Sequence, residues 1–336
     1  MTRSRIPATV AAWTFLATAI VACGGGDDKS AAGGGGGKGG SGASGGTLAT
    51  GGSGGTGGST GGAAGSGGGP SCAEGPGYPP TEPKRTVDKL NGKVVDLAGA
   101  PAKKTLAQVC GTDLCIYGST DDQGVVGICD KQTQICAPGI VPPVGSLFTR
   151  AAFKYGDGFD YARFAMLLPT NTQVYDVGTQ ITAALPPKTS GVEMTPGSDA
   201  TSGGITLSIA AGASVKIDTL TFTEPDEQKF RAVEIPIAQA PEAVDKSLGF
   251  EIVVGATPME TEFCPFARLT VPNTPGWAAG TEVEFFVHSV DPTNAWAPYA
   301  GWAKVSGGSV SADGKTVSTT DGEGLPILSS LAVRKK

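Results

Sequence analysis

The chain has 336 residues, of which 53 are glycine and only 17% are charged, and its formal net charge is −6. His288 is its one histidine, so a metal site built from several histidines is excluded, and a Ser-His-Asp or Cys-His system must use that residue. Basic residues do not cluster, which argues against nucleic acid as a partner, because such binding rests mainly on phosphate neutralisation.

Residues 1–22 have the anatomy of an export signal. Arg3 and Arg5 provide a positive start, residues 10–22 (VAAWTFLATAIVA) are apolar, and the small Ala22 closes the stretch. This stretch is too short for a membrane-spanning helix, which needs about 20 residues.

Cys23 follows directly, although an ordinary signal peptide requires no cysteine. Residues 20–23 (Ile-Val-Ala-Cys) resemble the lipobox of bacterial lipoproteins. The resemblance implies cleavage before Cys23 and acylation of that residue, so that two or more acyl chains anchor the protein in a membrane. Gly24 stands where an Asp commonly signals inner-membrane retention, which favours the outer membrane, on its surface or periplasmic face. A plain signal peptide with an incidental cysteine is the alternative.

Residues 24–69 are almost entirely Gly, Ser, Thr and Ala, so 23–70 is predicted to be a lipidated and disordered tether. A Gly-rich coil of this length spans roughly 35–40 Å, enough to hold a folded body clear of a membrane. Residues 42–46 and 51–55 match G-x-S-x-G, but a nucleophile elbow needs a flanking strand and helix that this composition does not form.

From residue 71 onward, short β-branched segments alternate with Gly, Pro, Asn and Asp. This pattern predicts an all-β protein with two tandem β-sandwiches, at 71–187 and 188–336. One helical turn is predicted within 241–249. The predicted strands are 93–97, 106–110, 125–129, 163–168, 205–210, 217–223, 232–238, 249–255, 267–272, 282–288 and 327–333.

Two motifs of the first unit are similar to those of transthyretin-like (carboxypeptidase-regulatory-like) β-sandwiches. The matching residues are Gly92, Val94, Asp96, Gly99 and Pro101 in a G-x-V-x-D-x-x-G-x-P opening, and Thr120, Asp121 and Gly124 in a T-D-x-x-G turn. In the turn, Asp is expected to accept backbone N–H groups and Gly to take a positive φ. Val126 stands where the family usually has an aromatic residue. The resemblance implies a non-catalytic accessory fold.

Four segments of the second unit are similar to ZU5-like β-sandwich domains. They are 202–215, 263–273, 276–286 and 302–324. The resemblance implies a structural or protein-interaction module. Some domains of this type cut themselves at a His-x-Ser/Thr site. Here His288 is followed by Ser289 and Val290, so the nucleophile is not at the required position and self-cleavage is not expected.

Six cysteines remain besides Cys23, and an even number in an exported chain predicts disulfide bonds. They are Cys72, Cys110, Cys115, Cys129, Cys136 and Cys264. Four of them lie within 110–136, which places two bridges in the first unit. Six cysteines allow 15 pairings, and a bridge between Cys72 and Cys264 is one option. A zinc site is the rival interpretation, but the spacings lack the tight C-x2-C pairs of such sites.

Two further groups of polar residues have both a structural and a functional interpretation. His288 ends an apolar strand, which favours a structural role over a catalytic one. Asp157 and Asp160, with Tyr161, lie in a Gly-rich stretch where carboxylates suit either a calcium ion or ordinary turn chemistry, and turn chemistry is favoured.

Trp296, Tyr299 and Trp302 lie close together in a Pro- and Gly-rich part of the chain. Exposed rings there would stack on sugars or form a protein contact, whereas the alternative is that they fill the core.

These patterns predict a lipid-anchored lipoprotein of the cell envelope with a non-catalytic structural or protein-interaction role. Its expected partners are the membrane, through Cys23, and an envelope or surface protein. Glycan binding is the alternative, and a role as accessory to a secreted hydrolase is a weaker one. No enzyme activity, cofactor or metal is expected, because no nucleophile–base pair or paired-carboxylate motif can be placed.

Overall fold

The computed structural model describes residues 72–79, 84–130, 132–133, 135–169 and 172–336. The predicted signal (1–22) and Cys23 lie outside these residues, as does the tether. All described residues belong to one unit, Ala64–Lys336. Its regular structure is almost entirely β-strand, with 3-10 turns at Lys188–Ser190, Ile237–Gln239 and Lys246–Leu248. The all-β prediction is therefore confirmed, as is a helical turn within 241–249.

The described residues before 188 form ten strands. They are β1 (Lys84–Thr86), β2 (Lys89–Val95), β3 (Leu106–Cys110), β4 (Cys115–Thr120), β5 (Val126–Cys129), β6 (Cys136–Pro138), β7 (Leu147–Thr149), β8 (Ala152–Tyr155), β9 (Phe164–Leu167) and β10 (Val174–Ile181). Six of them form an antiparallel sheet in the order β6-β5-β4-β3-β8-β9. β1 pairs with β7 antiparallel, and β2 pairs with β10 parallel.

Eleven strands follow residue 188. They are β11 (Asp199–Ser202), β12 (Ile205–Ser208), β13 (Ser214–Lys216), β14 (Arg231–Ile235), β15 (Ile252–Thr257), β16 (Thr261–Pro272), β17 (Glu282–His288), β18 (Trp302–Val310), β19 (Thr316–Thr319), β20 (Leu325–Leu328) and β21 (Leu331–Lys335). The main path is β11-β12-β16-β19-β18-β17-β21-β15-β14, with β13 and β20 also on β16. The end strands approach each other where the Ala232 amide donates to the Ser202 hydroxyl at 3.1 Å, so the sheet nearly closes on itself.

Ten of the eleven predicted strand segments overlap strands of the structure, and 217–223 does not. There Asp218 forms a turn, in which its carboxylate accepts from the Leu220 amide at 3.0 Å and from the Thr221 hydroxyl at 2.6 Å. The alternating pattern was misleading because Leu220 is 91% exposed rather than buried. Local Asx-turn chemistry therefore outweighs β propensity in this segment.

Side chains of both large sheets share one apolar core. Alternate residues of the six-stranded sheet, such as Val109, Phe153 and Tyr155, point into a cluster that also contains Val253 and Phe286 of the larger sheet. Burial of each such side chain stabilises the fold by about 1.5–3 kcal/mol. A second cluster lies wholly within the part after residue 188. Strands on the two sides of residue 188 thus share no sheet among the described residues, yet they do share a core.

The two motifs of the transthyretin-like resemblance lie side by side. Asp121 accepts from the amides of Gln123 and Val125 at 2.8 and 2.9 Å, and Gly124 has a φ of 75°, as the turn chemistry predicts. The Val94 amide of the opening motif donates to the Gly124 carbonyl at 2.8 Å. The opening motif and the turn motif are therefore in direct contact through this hydrogen bond.

The six cysteines of the body form three disulfides, in agreement with the prediction of disulfide bonds. Cys110 pairs with Cys115, and Cys129 pairs with Cys136. In each case the two cysteines face each other across a hairpin, β3–β4 or β5–β6. Cys72 pairs with Cys264 and so joins the start of the described chain to β16.

Candidate functional site

A cavity of about 480 Å³ is bordered by the segment after β13, the start of β16 and the loop after β17. Its polar and aromatic lining consists of Lys216, Asp218, Thr219, Glu260, Glu262, Asp291, Thr293, Asn294 and Trp296. Four of these residues carry a carboxyl group and one carries an ammonium group. The lining therefore combines an aromatic ring with an excess of negative charge.

Glu260 is a partly buried acid that lines this cavity. Its Oε2 accepts a hydrogen bond from the Asn294 Nδ2 at 2.7 Å, while its Oε1 is buried and has no hydrogen-bond partner among the described residues. Burial and, to a smaller extent, the nearby Asp291 together raise the pKa of Glu260 to about 8, against the opposing effect of the Asn294 hydrogen bond. At neutral pH the carboxyl is mostly protonated, and because Oε2 accepts, the proton belongs on Oε1.

The loop after β17 is held in place by two side chains that bond to its own backbone. Asp291 Oδ1 accepts from the Thr293 amide and hydroxyl, both at 2.7 Å. Asn294 Oδ1 accepts from the amides of Trp296 and Ala297 at 2.7 and 3.1 Å. Asp and Asn favour such turns because their short side chains reach backbone groups two or three residues on. These bonds fix the position of Trp296, whose partly buried ring meets Phe266 at 5.3 Å and nearly at right angles.

Two cations, Lys154 and Arg163, lie near enough to Glu260 to affect its pKa. Lys154 of β8 is 5% exposed, and burial lowers its pKa to about 8, with repulsion from Arg163 as a further cause. Arg163 donates to the Gln108 Oε1 at 2.8 Å, and burial lowers its pKa as well. Both cations act to lower the pKa of Glu260, although burial outweighs them. The Glu260 carboxyl therefore has one negative neighbour, Asp291, and two positive neighbours, Lys154 and Arg163.

The three aromatic residues predicted as a patch pack in three different apolar clusters. Tyr299 is 2% exposed, donates to the Cys110 carbonyl at 3.2 Å and lies under the Lys154 ammonium, 5.0 Å from its ring centre. Trp302 donates to the Ala243 carbonyl at 2.8 Å. Trp296 packs against the core of the larger sheet. Of the three, Trp296 is the one that lines the cavity.

His288 is fully buried and bonded on both nitrogens. Its Nε2 accepts from the Ala165 amide at 3.0 Å, and its Nδ1 lies 2.9 Å from the Gly301 carbonyl, which requires the tautomer with the proton on Nδ1. Burial lowers its pKa to about 4, so the ring is neutral at pH 7. The ring also stacks on Trp302 at 4.8 Å. This environment matches the structural interpretation of the residue.

Asp157 is occupied by its own turn. Its Oδ1 accepts from the amides of Phe159, Asp160 and Tyr161 at 2.8, 2.8 and 3.0 Å. Among the described residues no group of three or more His, Cys, Asp or Glu side chains is arranged to hold a metal ion. Turn chemistry therefore accounts for this acidic stretch.

A second open depression, of about 550 Å³, lies over the strands β17, β18 and β19. Its charged side chains largely pair with one another or with neighbours: Arg268 with Asp321 at 3.3 Å, and Lys336 with Glu282 at 2.8 Å. Because these charges are mutually neutralised, the depression offers less to a ligand than the cavity beside Trp296 does.

No protein-family model matches the chain, and neither does any curated protein or solved structure. The two family resemblances therefore remain predictions. In the part of the chain that the structure describes, no helix has the length and apolar character needed to cross a membrane.

Glu260, Asp291 and Asn294 are the site residues that sequence reasoning missed. The stretch Asp291–Trp296 (DPTNAW) carries a turn signal, since Asp and Asn each precede the amides they bind, and that signal was available. Nothing local marks Glu260, because Asp291 and Asn294, its neighbours in the cavity, belong to the loop after β17.

Proposed function

We propose that the chain is a lipid-anchored lipoprotein of the bacterial cell envelope whose β body has a non-catalytic binding role toward another envelope or surface protein. The observation that supports this proposal most directly is the arrangement of residues 1–23. Two arginines, Arg3 and Arg5, are followed by a short apolar stretch, then by the small Ala22, and then by Cys23. The tether supports the same assignment, because acyl chains on Cys23 would anchor while the glycine-rich segment gives reach.

The disulfide-bonded body supports an exported location. Three bridges among six cysteines suit an oxidising compartment, where such bonds form and persist. A binding role rather than catalysis is favoured because the lone histidine, His288, is buried and bonded on both nitrogens. The cavity beside Trp296 is the proposed binding site.

Labelling with a radioactive or clickable fatty acid tests the anchor in bacteria that express the whole chain. The wild type should take up label, and Cys23→Ala should not. Gly24→Asp is the matched control, which should still be labelled but shift toward the inner membrane. Protease added to intact cells then separates a surface body, which is degraded, from a periplasmic one, which is protected. A wild type without label would refute the lipid anchor.

Glycan binding is the second candidate, and the position of Trp296 favours it. Its ring lies beside the polar side chains of Asp291, Thr293 and Asn294, a combination that suits the apolar face and the hydroxyl groups of a sugar. Titration with a short neutral oligosaccharide, followed at the Trp296 indole N–H by NMR, tests this candidate directly.

A further inference from the structure

Two of the three disulfides close hairpins in the same way but lie in different surroundings. Cys110 and Cys115 face each other across β3–β4, and Cys110 is fully buried in an apolar cluster with Tyr299. Cys129 and Cys136 face each other across β5–β6, and both are half-buried on the wall of a cavity of about 460 Å³. A molecule from solution can therefore reach both sulfurs of the second bridge, whereas Cys110 of the first is covered.

Ser119 of β4 provides a hydrogen-bond donor to the bridge between β5 and β6. Its hydroxyl oxygen lies 2.6 Å from Cys129 Sγ and 3.5 Å from Cys136 Sγ. Because a disulfide sulfur carries no hydrogen, the hydroxyl is the donor. A hydrogen bond to a charged acceptor is stronger than one to a neutral acceptor, so the hydroxyl stabilises a Cys129 thiolate more than it stabilises the disulfide. When a thiol attacks the bridge, Cys129 is therefore the better leaving group.

The position of Cys136 suits attack by a thiolate. β6 is the end strand of its sheet, and no strand of the described residues lies on its outer side. A thiolate that displaces Cys129 approaches Cys136 Sγ in line with the S–S bond, which here crosses the hairpin from β6 to β5. The approach is therefore from the open edge of the sheet, where the neighbouring Ile135 and Ala137 are exposed.

We propose that the Cys129–Cys136 bridge is a thiol–disulfide exchange site, at which a thiol group of another molecule becomes attached to Cys136. The incoming thiolate sulfur forms a bond to Cys136 Sγ, and the bond between the two protein sulfurs breaks with its electron pair going to Cys129. The Cys129 thiolate accepts a hydrogen bond from Ser119. A second thiol then attacks the mixed disulfide and displaces Cys136, so that two thiols are oxidised to a disulfide while the protein bridge is reduced to a dithiol.

This site shares no lining residue with the cavity beside Trp296, and its chemistry does not depend on the lipid anchor. The proposed exchange therefore goes beyond the proposed function, and either proposal can fail without the other.

The test compares the exchange rates of the two hairpin bridges. Reduced glutathione is the small probe, and a reduced dithiol protein of the thioredoxin type is the large one. Each is added to the folded, oxidised chain that carries Cys23→Ala, so that the Cys23 thiol does not compete. Acid quenching, alkylation and peptide mass spectrometry then follow each bridge. We expect exchange at Cys129–Cys136 to be roughly tenfold faster than at Cys110–Cys115, with the glutathione adduct on Cys136.

The two probes distinguish the sources of the thiol. Exchange with glutathione alone would limit the site to small thiols, and faster exchange with the dithiol protein would indicate a protein thiol as its natural substrate. Exchange with neither probe would overturn the proposal.

Ser119→Ala tests the role of the hydroxyl. It should slow exchange at Cys129–Cys136 about fivefold, because the leaving thiolate loses its donor. Ser119→Thr keeps the hydroxyl and should restore most of the rate. The Cys110–Cys115 bridge in the same samples is the control, and its rate should be unchanged. Similar rates for the two hairpin bridges, an adduct mainly on Cys129, or an unchanged rate in Ser119→Ala would each overturn the proposal.

Discussion

The Nε2 atom of His288 lies 3.0 Å from the backbone nitrogen of Ala165, and this hydrogen bond joins β17 of the larger sheet to the outer edge of β9. A second bond runs in parallel, from the Ser330 hydroxyl to the Arg163 carbonyl at 3.0 Å. β9 is an edge strand of its own sheet, and in the described part of the chain β8 is its only strand partner. Side chains of the larger sheet thus satisfy backbone groups that this edge would leave unpaired.

Replacement of His288 by alanine should destabilise the fold by about 3 kcal/mol, because it opens a cavity and leaves the Ala165 amide buried without an acceptor. Urea unfolding at pH 7 measures the loss. Asp313→Asn, on an exposed turn, is the control and should stay within about 0.5 kcal/mol of the wild type. An equally small change for His288→Ala would contradict the bridging role.

The stability of the wild type should fall as pH drops from 6.5 to 4. The folded-state pKa of His288 lies near 4 and the ordinary value is 6.5, so the unfolded chain binds the proton first. The contribution is fully present above pH 6.5 and lost as pH falls, with an upper limit of about 3 kcal/mol. Urea unfolding at several pH values should show this slope in the wild type and a shallower one in His288→Asn. Identical slopes would refute the assignment.

Titration of Glu260 has the opposite pH dependence to that of His288, because it lowers the stability of the wild type as pH rises. The pKa of Glu260 is raised from 4.5 to about 8, so the folded state binds the proton more tightly and wild-type stability falls as pH rises between these values. The Glu260→Gln variant lacks this loss and should exceed the wild type at pH 9 by on the order of 2 kcal/mol. At pH 4 the two proteins should be nearly equal. The negative charge of Glu260 also raises the pKa of Lys154, so part of the difference at pH 9 comes from Lys154.

The three disulfides should differ in their contribution to stability. The Cys72–Cys264 bridge closes a loop with a sequence separation of 192, against 7 for Cys129–Cys136. Chain entropy then assigns about 5 kcal/mol to the long loop and about 2 kcal/mol to the short one. Double alanine variants of the Cys72–Cys264 and Cys129–Cys136 pairs, unfolded in guanidinium chloride, measure the two contributions. A larger loss from the hairpin pair would show that native-state packing, rather than loop closure, dominates.

Trp302 and Trp296 should respond differently to replacement. Trp302→Ala removes a ring that packs on Phe250 and His288 and donates to the Ala243 carbonyl, so a loss of about 3–5 kcal/mol is expected. Trp296→Ala should cost clearly less, since its ring lines an open cavity. Thermal unfolding of both variants decides the matter. Comparable losses would place Trp296 in the core and remove the basis for a site there.

Much of the architecture could be predicted from the sequence because alternating β-branched segments and turn residues act locally. The strand at 106–110 and the Asp121–Gly124 turn are such cases. The segment 217–223 was misassigned because a single Asx turn at Asp218 competes with the same alternation. The cavity was beyond reach, since Glu260 meets Asn294 only after β16 and the loop after β17 have docked. The burial of Lys154 could not be predicted either, because it depends on distant residues such as Tyr299 that pack against it.

The Cys72–Cys264 bridge also determines where a mechanical load would enter the body. If acyl chains hold Cys23 in a membrane, a pull on the partner-bound body passes along the tether and crosses the bridge into β16, bypassing the three-residue β1. β16 is twelve residues long and pairs with four strands, β12, β13, β19 and β20. Tension would thus be shared by several hydrogen-bonded ladders, and reduction of the bridge would transfer the same pull to β1, a three-residue strand that pairs with β7.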